Sequence, residues 1–328
     1  MEYGLRLPSF ALGPKTASLA EMGAYLRRAE DLGFSSAMLI DHLLVAPPAY
    51  RVTWLEPVSL LSALAGVTRT IRLGTLVLVL PFRDPVAFAK AWGTLDLLSG
   101  GRSILGVGVG WNQEEFEALG IPHRERGRRM NELLEAITAL WAGDHVSYEG
   151  QFYRFRDLTI EPKPLQRPHP PIWIGGGTQP SERIYGQQVD TIQPVLRRIA
   201  RYASTWVPHS SATAEMVAGD WDAIRAYMAE YGRDPGAMGR VYSNFVHVLK
   251  PGERPEAAAS KFRVYSGMDL NYWQRFYLLG EAEAVAERIR AKIEALGGVD
   301  HLILNPLDWD PASIEVLAER VLPLVAAA

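Results

Sequence analysis

The sequence predicts a (β/α)8 barrel, one domain over residues 1–328, and three observations carry that expectation. Short apolar runs alternate with helical stretches along the whole chain, eight of each can be counted, and the clearest runs are apolar almost without a break. A strand that is apolar on both faces belongs in a parallel sheet covered by helices.

The first strand is expected at residues 3–7. Ser18 and Glu21 then stand three apart as a capping box, and Leu19, Met22, Leu26, Ala29 and Leu32 recur at helical spacing until Gly33 ends the run. Residues 36–40 (SAMLI) form strand two, and residues 71–80 (IRLGTLVLVL) read as strand three. Asp84 and Pro85 suit the N-cap and first position of a helix that stops at Gly100. Strand four covers 102–109, with helical stretches at 113–119 and 128–141 after it. Residues 143–165 break the rhythm: Val146, Tyr148, Phe152 and Phe155 alternate around Gly150, the pattern of an inserted hairpin. Strand five (172–174), helix 194–203, strand six (205–207), helix 215–231 and strand seven (241–249) resume it. Further insertions are expected near 178–193 and 251–280, the latter rich in aromatics, before helix 282–296, strand 301–304 and helix 311–325.

Composition narrows the function. Apolar residues make up 48% and charged residues 22%, the balance of an ordinary soluble globular chain. With 34 basic and 37 acidic residues the net charge is -3, so no global field favours nucleic acid or an anionic membrane, and a small-molecule partner is expected. The absence of cysteine excludes disulfides, thiolate metal sites and a cysteine nucleophile. No leader pattern opens the chain and no apolar run reaches the ~18 residues of a membrane span, so a cytoplasmic location is expected. The seven histidines contain no HxH or HExxH arrangement, and no metal site is predicted.

Asp41 and His42 follow directly on the second apolar run. The C-terminal ends of parallel strands are where this fold assembles its chemistry, and imidazole changes charge near neutral pH. An acid and an imidazole there are candidates for catalysis; the plain alternative is a helix cap and a satisfied polar residue at a strand end. Gly175, Gly176, Gly177 and Thr178 follow the fifth run, and small residues let backbone N–H groups approach a phosphate. A flexible turn would need the same residues.

Taken together, the chain resembles the luciferase-like monooxygenases and coenzyme F420-dependent oxidoreductases of the bacterial luciferase-like superfamily. The resemblance is carried by DHL at 41–43, RTIRLGT at 69–75, TLDLLSGGR at 94–102, GVGVGWNQEEFEALG at 106–120, YEGQFYRF at 148–155 and PPIWIGGG at 170–177. It implies a barrel with insertions, a ring-shaped redox cofactor at the strand C-termini and a homodimer.

By the same resemblance His42 lies beside the reactive face of the ring, with Asp41 orienting it or bonding the ring edge. Gly175–Thr178 would receive the cofactor phosphate. Related enzymes place a non-prolyl cis peptide behind the ring, and Leu76 and Val77 occupy that position; a regular core strand is the alternative. Val109, Gly110, Trp111 and Asn112 would line the site, although Trp111 equally suits a core or rim residue. Luciferase-type members carry an arginine near Val109 and sugar-phosphate-oxidising members an acid near Trp111; this chain has neither, and Ala46 replaces a tryptophan found in some deazaflavin dehydrogenases. Tyr50, Trp54, Trp273 and Tyr277 would form an apolar substrate pocket or else pack in the barrel coat. Arg124, Arg126, Arg128 and Arg129 form a basic cluster that reads as a solvated, ion-paired face, with contact to an anionic cofactor tail as the minority reading. The resemblance implies hydride transfer between F420 and a small organic substrate. The alternatives are an FMN-dependent monooxygenase served by a flavin reductase, and a noncatalytic ligand-binding barrel.

Overall fold

Eight parallel strands close on themselves in a computed structural model that describes residues 1–8, 10–11, 16–45, 51–180, 192–259, 270–306 and 308–327. They are β1 (Glu2–Arg6), β2 (Ser36–Leu39), β3 (Arg72–Thr75), β4 (Ser103–Gly108), β5 (Ile172–Gly175), β6 (Thr205–Val207), β7 (Gly239–Val248) and β8 (His301–Asn305). Each pairs in parallel with the next, and β8 returns to β1 through Glu2 opposite His301, which closes the barrel. Closure leaves the ladder without an edge, and β2 and β4 are buried along their whole length. Among the described residues no helix is long and apolar enough to cross a membrane.

Local chemistry sets the helix starts as expected. Ser18 and Glu21 form the capping box at the head of α1 (Leu19–Asp31), each side chain bonding the other's backbone. After α2 (Pro57–Ala65), Asp84 caps α3 (Pro85–Leu98) by accepting from the Val86 and Ala87 N–H groups. Then come α4 (Gln113–Ala118), α5 (Arg126–Ala142), α6 (Gln193–Tyr202) and α7 (Ala214–Glu230). The inserted hairpin lies between α5 and β5, pairing Val146–Glu149 with Arg154–Leu158.

Three elements depart from the sequence expectation. Residues 71–80 are not one strand: after Thr75 the Leu76–Val77 peptide is cis, at the position the family resemblance implies, Leu78–Val79 pairs separately beside β4, and Leu80–Phe82 is a 3-10 turn. Glycines on β4 make room for this course. A Cβ on Gly106 would stand 1.8 Å from the Thr75 carbonyl oxygen, and one on Gly108 2.7 Å from Val77 Cγ2. The described end of the segment 251–280 is also more regular than expected. α8 (Leu270–Phe276) leads into Leu278–Gly280, which pairs with Val246–Val248 because β7 outruns its barrel neighbours. After α9 (Ala282–Ala295), the last helical stretch divides into α10 (Pro311–Val316), a π turn at Leu317–Val321 and α11 (Leu322–Ala326). Pro323 supplies no N–H to a helical ladder, so the pattern changes in the turn before it. Most of the expected insertion at 178–193 lies outside the described residues.

Two stability measurements follow. Gly106→Ala drives a methyl into a backbone oxygen and is expected to lose ~3 kcal/mol or more in denaturant unfolding. Gly100→Ala, at φ +69° with nothing within 4 Å of the new carbon, should lose only about 1 kcal/mol. Equal losses would show that the Thr75–Gly106 approach is not tight in solution. His301, packed on Trp173 at 4.7 Å between ring centroids, is held below the usual imidazole range by burial. The unfolded chain therefore binds the proton first, and stability falls as pH drops below about 6.5. Replacing His301 with Phe should flatten that loss in melting scans between pH 7 and 5; an unchanged slope would remove His301 as its source.

Candidate active site

The loops leaving the C-terminal rim enclose a cavity of about 360 Å³, within the ~300–1,000 Å³ of small-molecule sites. His42 stands in its wall behind β2, only 8% exposed. Its Nδ1 lies 3.2 Å from Glu115 Oε1, and the same carboxylate oxygen accepts from the Leu43 and Leu44 N–H groups at 2.6 and 3.1 Å. A carboxylate only accepts, so this contact assigns a proton to Nδ1 and makes Nε2, across the ring, the basic nitrogen. Trp54 and Trp111 pack on the imidazole at 5.0 and 5.7 Å between centroids.

Asp41 does not orient His42. Its Oδ2 accepts from the Val79 N–H at 3.0 Å and from Arg83 Nη2 at 2.9 Å, tying the rim of β2 to the bulge after β3. Burial pushes this carboxyl above its usual range, an effect that Arg83 and the Val79 N–H oppose. Asp41 also lines the cavity, as do Leu76, Val77, Val109, Gly110, Trp111, Gly175, Gly176 and Gly177.

Other candidates lie elsewhere. Thr178 does not face the cavity: its N–H and hydroxyl both donate to Asp220, at 2.6 and 2.7 Å. Asn112 caps α4 by accepting from the Glu114 N–H and is buried outside the wall. Trp273 is 1% exposed in a satellite core against Phe245 and Tyr277, while its neighbours Tyr272 and Tyr277 reach the cavity. Trp54 meets the site through His42 rather than as wall, and Tyr50 and Ala46 lie outside the described residues.

The glycine run is a narrower cradle than its composition suggests. The Gly176 N–H donates to Val207 O, which leaves the Gly177 N–H, at φ +145°, without an acceptor among the described residues. Arg126, at the start of α5, supplies the cation that Val109 lacks. Its Nη1 donates to His123 O at 2.9 Å, its Nε is buried without an acceptor, and burial lowers its pKa. The rest of the basic cluster turns outward, with Arg129 paired to Glu125 and Arg128 bonding Gln151. Gly177, Arg126 and Ser210 on the loop after β6 therefore suit an anionic phosphate, and the apolar wall of Leu76, Val77 and Val109 suits a ring.

Residues 1–269 match the family model described as luciferase-like monooxygenase. The chain belongs to the luciferase-like monooxygenase family. It is 32% identical over 288 residues to the FMNH(2)-dependent dimethylsulfone monooxygenase of Pseudomonas putida, covering 82% of this chain and 78% of that one. It is also 32% identical over 252 residues to an F420-dependent glucose-6-phosphate dehydrogenase of Intrasporangium calvum, covering 72% of each. A solved F420-dependent secondary alcohol dehydrogenase in complex with an F420-acetone adduct superposes with a TM-score of 0.79 at 18% identity, covering 99% of this chain and 98% of that one. That likeness shows the luciferase-like fold. The protein is an oxidoreductase of this family, and its relatives use either F420 or FMN.

Glu115 and Arg83 are not among the site residues expected from sequence, and Arg126 is expected there only as one of a basic cluster whose contact with an anionic cofactor tail is the minority reading. Glu115 left one trace, an acid beside the apolar Phe116 in the first turn of α4, where both side chains are buried. Glu115→Gln keeps an acceptor for the two backbone N–H groups but offers His42 an amide donor, reversing the imidazole tautomer. We expect kcat to fall about 10²-fold with KM and cofactor affinity nearly unchanged. An unchanged kcat, or a loss confined to KM, would reject Glu115 as the positioning residue.

Proposed function

We propose that the protein is a coenzyme F420-dependent oxidoreductase that exchanges hydride with a small alcohol or carbonyl substrate while His42 exchanges the accompanying proton. Bound in the cavity, the deazaflavin would accept or return the hydride at its ring carbon. The observation that carries the proposal is the buried Glu115–His42 pair at the cavity wall. When an alcohol is oxidised, its carbon loses hydride and its oxygen loses a proton; His42 Nε2 is the base for that proton and returns it in the reverse direction.

The surrounding residues fit this division of labour. Trp54 and Trp111 exclude water from the imidazole, and Arg83 fixes Asp41 and with it the start of the His42 loop. The Gly177 N–H and Arg126 would hold the cofactor phosphate. The cavity continues past them to Gln179, Pro180 and Ser210, which gives a tail beyond the phosphate a way out. The Pseudomonas putida relative supports a second use of the same residues, an FMN-dependent monooxygenase that takes reduced flavin from a reductase.

Titration with each cofactor separates the two. F420 should bind at least about tenfold more tightly than FMN. His42→Ala should lower kcat by about 10²-fold or more with F420 affinity within about threefold of wild type. Tighter FMN binding together with substrate-dependent oxygen uptake would overturn the proposal in favour of the monooxygenase. Failure to bind either cofactor would favour a noncatalytic barrel.

A further inference from the structure

Arg6 is the last residue of β1, and its side chain enters the cavity from the rim opposite the glycine cradle, since β1 and β5 stand four strands apart in the closed barrel. The guanidinium lies over the Phe245 ring, with Cζ 4.3 Å from its centroid. Among the described residues its Nε and Nη2 are buried without an acceptor, and no carboxylate pairs with it. Ser243, two residues before Phe245 on β7, has a buried hydroxyl that also lacks a partner among the described residues and also lines the cavity. Leaving charged donors buried and unsatisfied is costly, so such groups point to a ligand that satisfies them.

The charge balance of the wall agrees. Among its described residues Arg6 and Arg126 are the arginines, while Asp41 is the one carboxylate and is already committed to Arg83 and the Val79 N–H. Arg126 stands with the cradle side of the cavity, leaving Arg6 to meet what enters on the side of β1 and β7.

We propose that Arg6 and Ser243 form a subsite for a carboxylate, and hence that the substrate is a small organic acid. The planar guanidinium fork matches a carboxylate in two parallel hydrogen bonds, and the Ser243 hydroxyl supplies a third donor. Phe245, Tyr272 and Tyr277 would cover the apolar body of the acid, placing its hydroxyl or carbonyl carbon toward His42. This assignment rests on the oxidoreductase function proposed above, but its ligand chemistry can be tested without turnover.

The test compares benzoate with benzamide, which has the same shape and no charge, by calorimetric titration of the protein with and without its preferred cofactor. Wild type should bind benzoate at least about tenfold more tightly than benzamide. Arg6→Gln should erase that preference while cofactor affinity stays within about twofold. Arg6→Lys keeps the charge without the fork and should recover only part of the preference. Ser243→Ala, the milder change if Arg6→Gln does not fold, should weaken benzoate severalfold and leave benzamide unaffected. Equal binding of benzoate and benzamide to wild type would overturn the proposal. So would a loss of cofactor affinity in Arg6→Gln as large as the loss of benzoate, because Arg6 would then serve the cofactor. If neither F420 nor FMN binds yet the benzoate preference persists and depends on Arg6, the cofactor assignment fails and the acid subsite stands.

Discussion

The Glu115 carboxylate is the contact on which the site depends. One buried side chain from α4 accepts two backbone N–H groups of the loop after β2 and fixes the imidazole that loop carries. Its charge is tolerable in the interior because the groups it bonds there, the His42 imidazole and two backbone N–H groups, are donors. The consequence is mechanical as well as chemical: the loops after β2 and β4 become one unit, and His42 has a set orientation before any ligand arrives. Preorganisation of this kind lets a general base act without reorganising at the moment of reaction.

A second tie holds the other side of the same loop. Asp41 reaches across to Arg83 and the Val79 N–H, joining β2 to the bulge that follows β3. That bulge exists because β4 presents Gly106 and Gly108 where any side chain would collide with it. The glycine alternation in GVGVG is therefore a packing requirement of the neighbouring strand, which in turn sets the wall formed by Leu76 and Val77. Acid and imidazole are adjacent in the chain but serve opposite directions: Asp41 anchors to the segment after β3 and His42 to α4.

The polar inventory of the cavity divides in the same spatial way. Donors near β5 and β6, with Arg126 from α5, suit a phosphate; Arg6 on β1 stands opposite β5, and Ser243 lines the cavity from β7, two strands round from β1. A barrel makes this separation easily, since consecutive units deliver their loops around a circle and ligands can be held from opposite rims. His42 on β2 sits beside the Arg6 side, so the base and the second cation share the space left for a substrate.

The sequence by itself determined what short-range chemistry can determine. Helical periodicity, the Ser18–Glu21 box, the Asp84 cap and the apolar runs predicted the alternation of units, and that placed Asp41, His42 and the glycine run at one rim. These features depend on residues three or four apart, or on the two-sided burial of a strand, so they can be read without knowing what lies across the barrel. Tertiary structure decided the partnerships. Glu115 rather than Asp41 holds His42, from 73 residues away; Asp220 takes Thr178, from 42 residues away; and Trp273 turns into a core while Tyr272 and Tyr277 reach the cavity. Arg6 acquires its meaning only when closure of β1 against β8 carries it to Phe245 and Ser243. Side chains at strand ends choose partners by where the closed sheet and its covering helices bring them, and linear spacing does not encode that geometry.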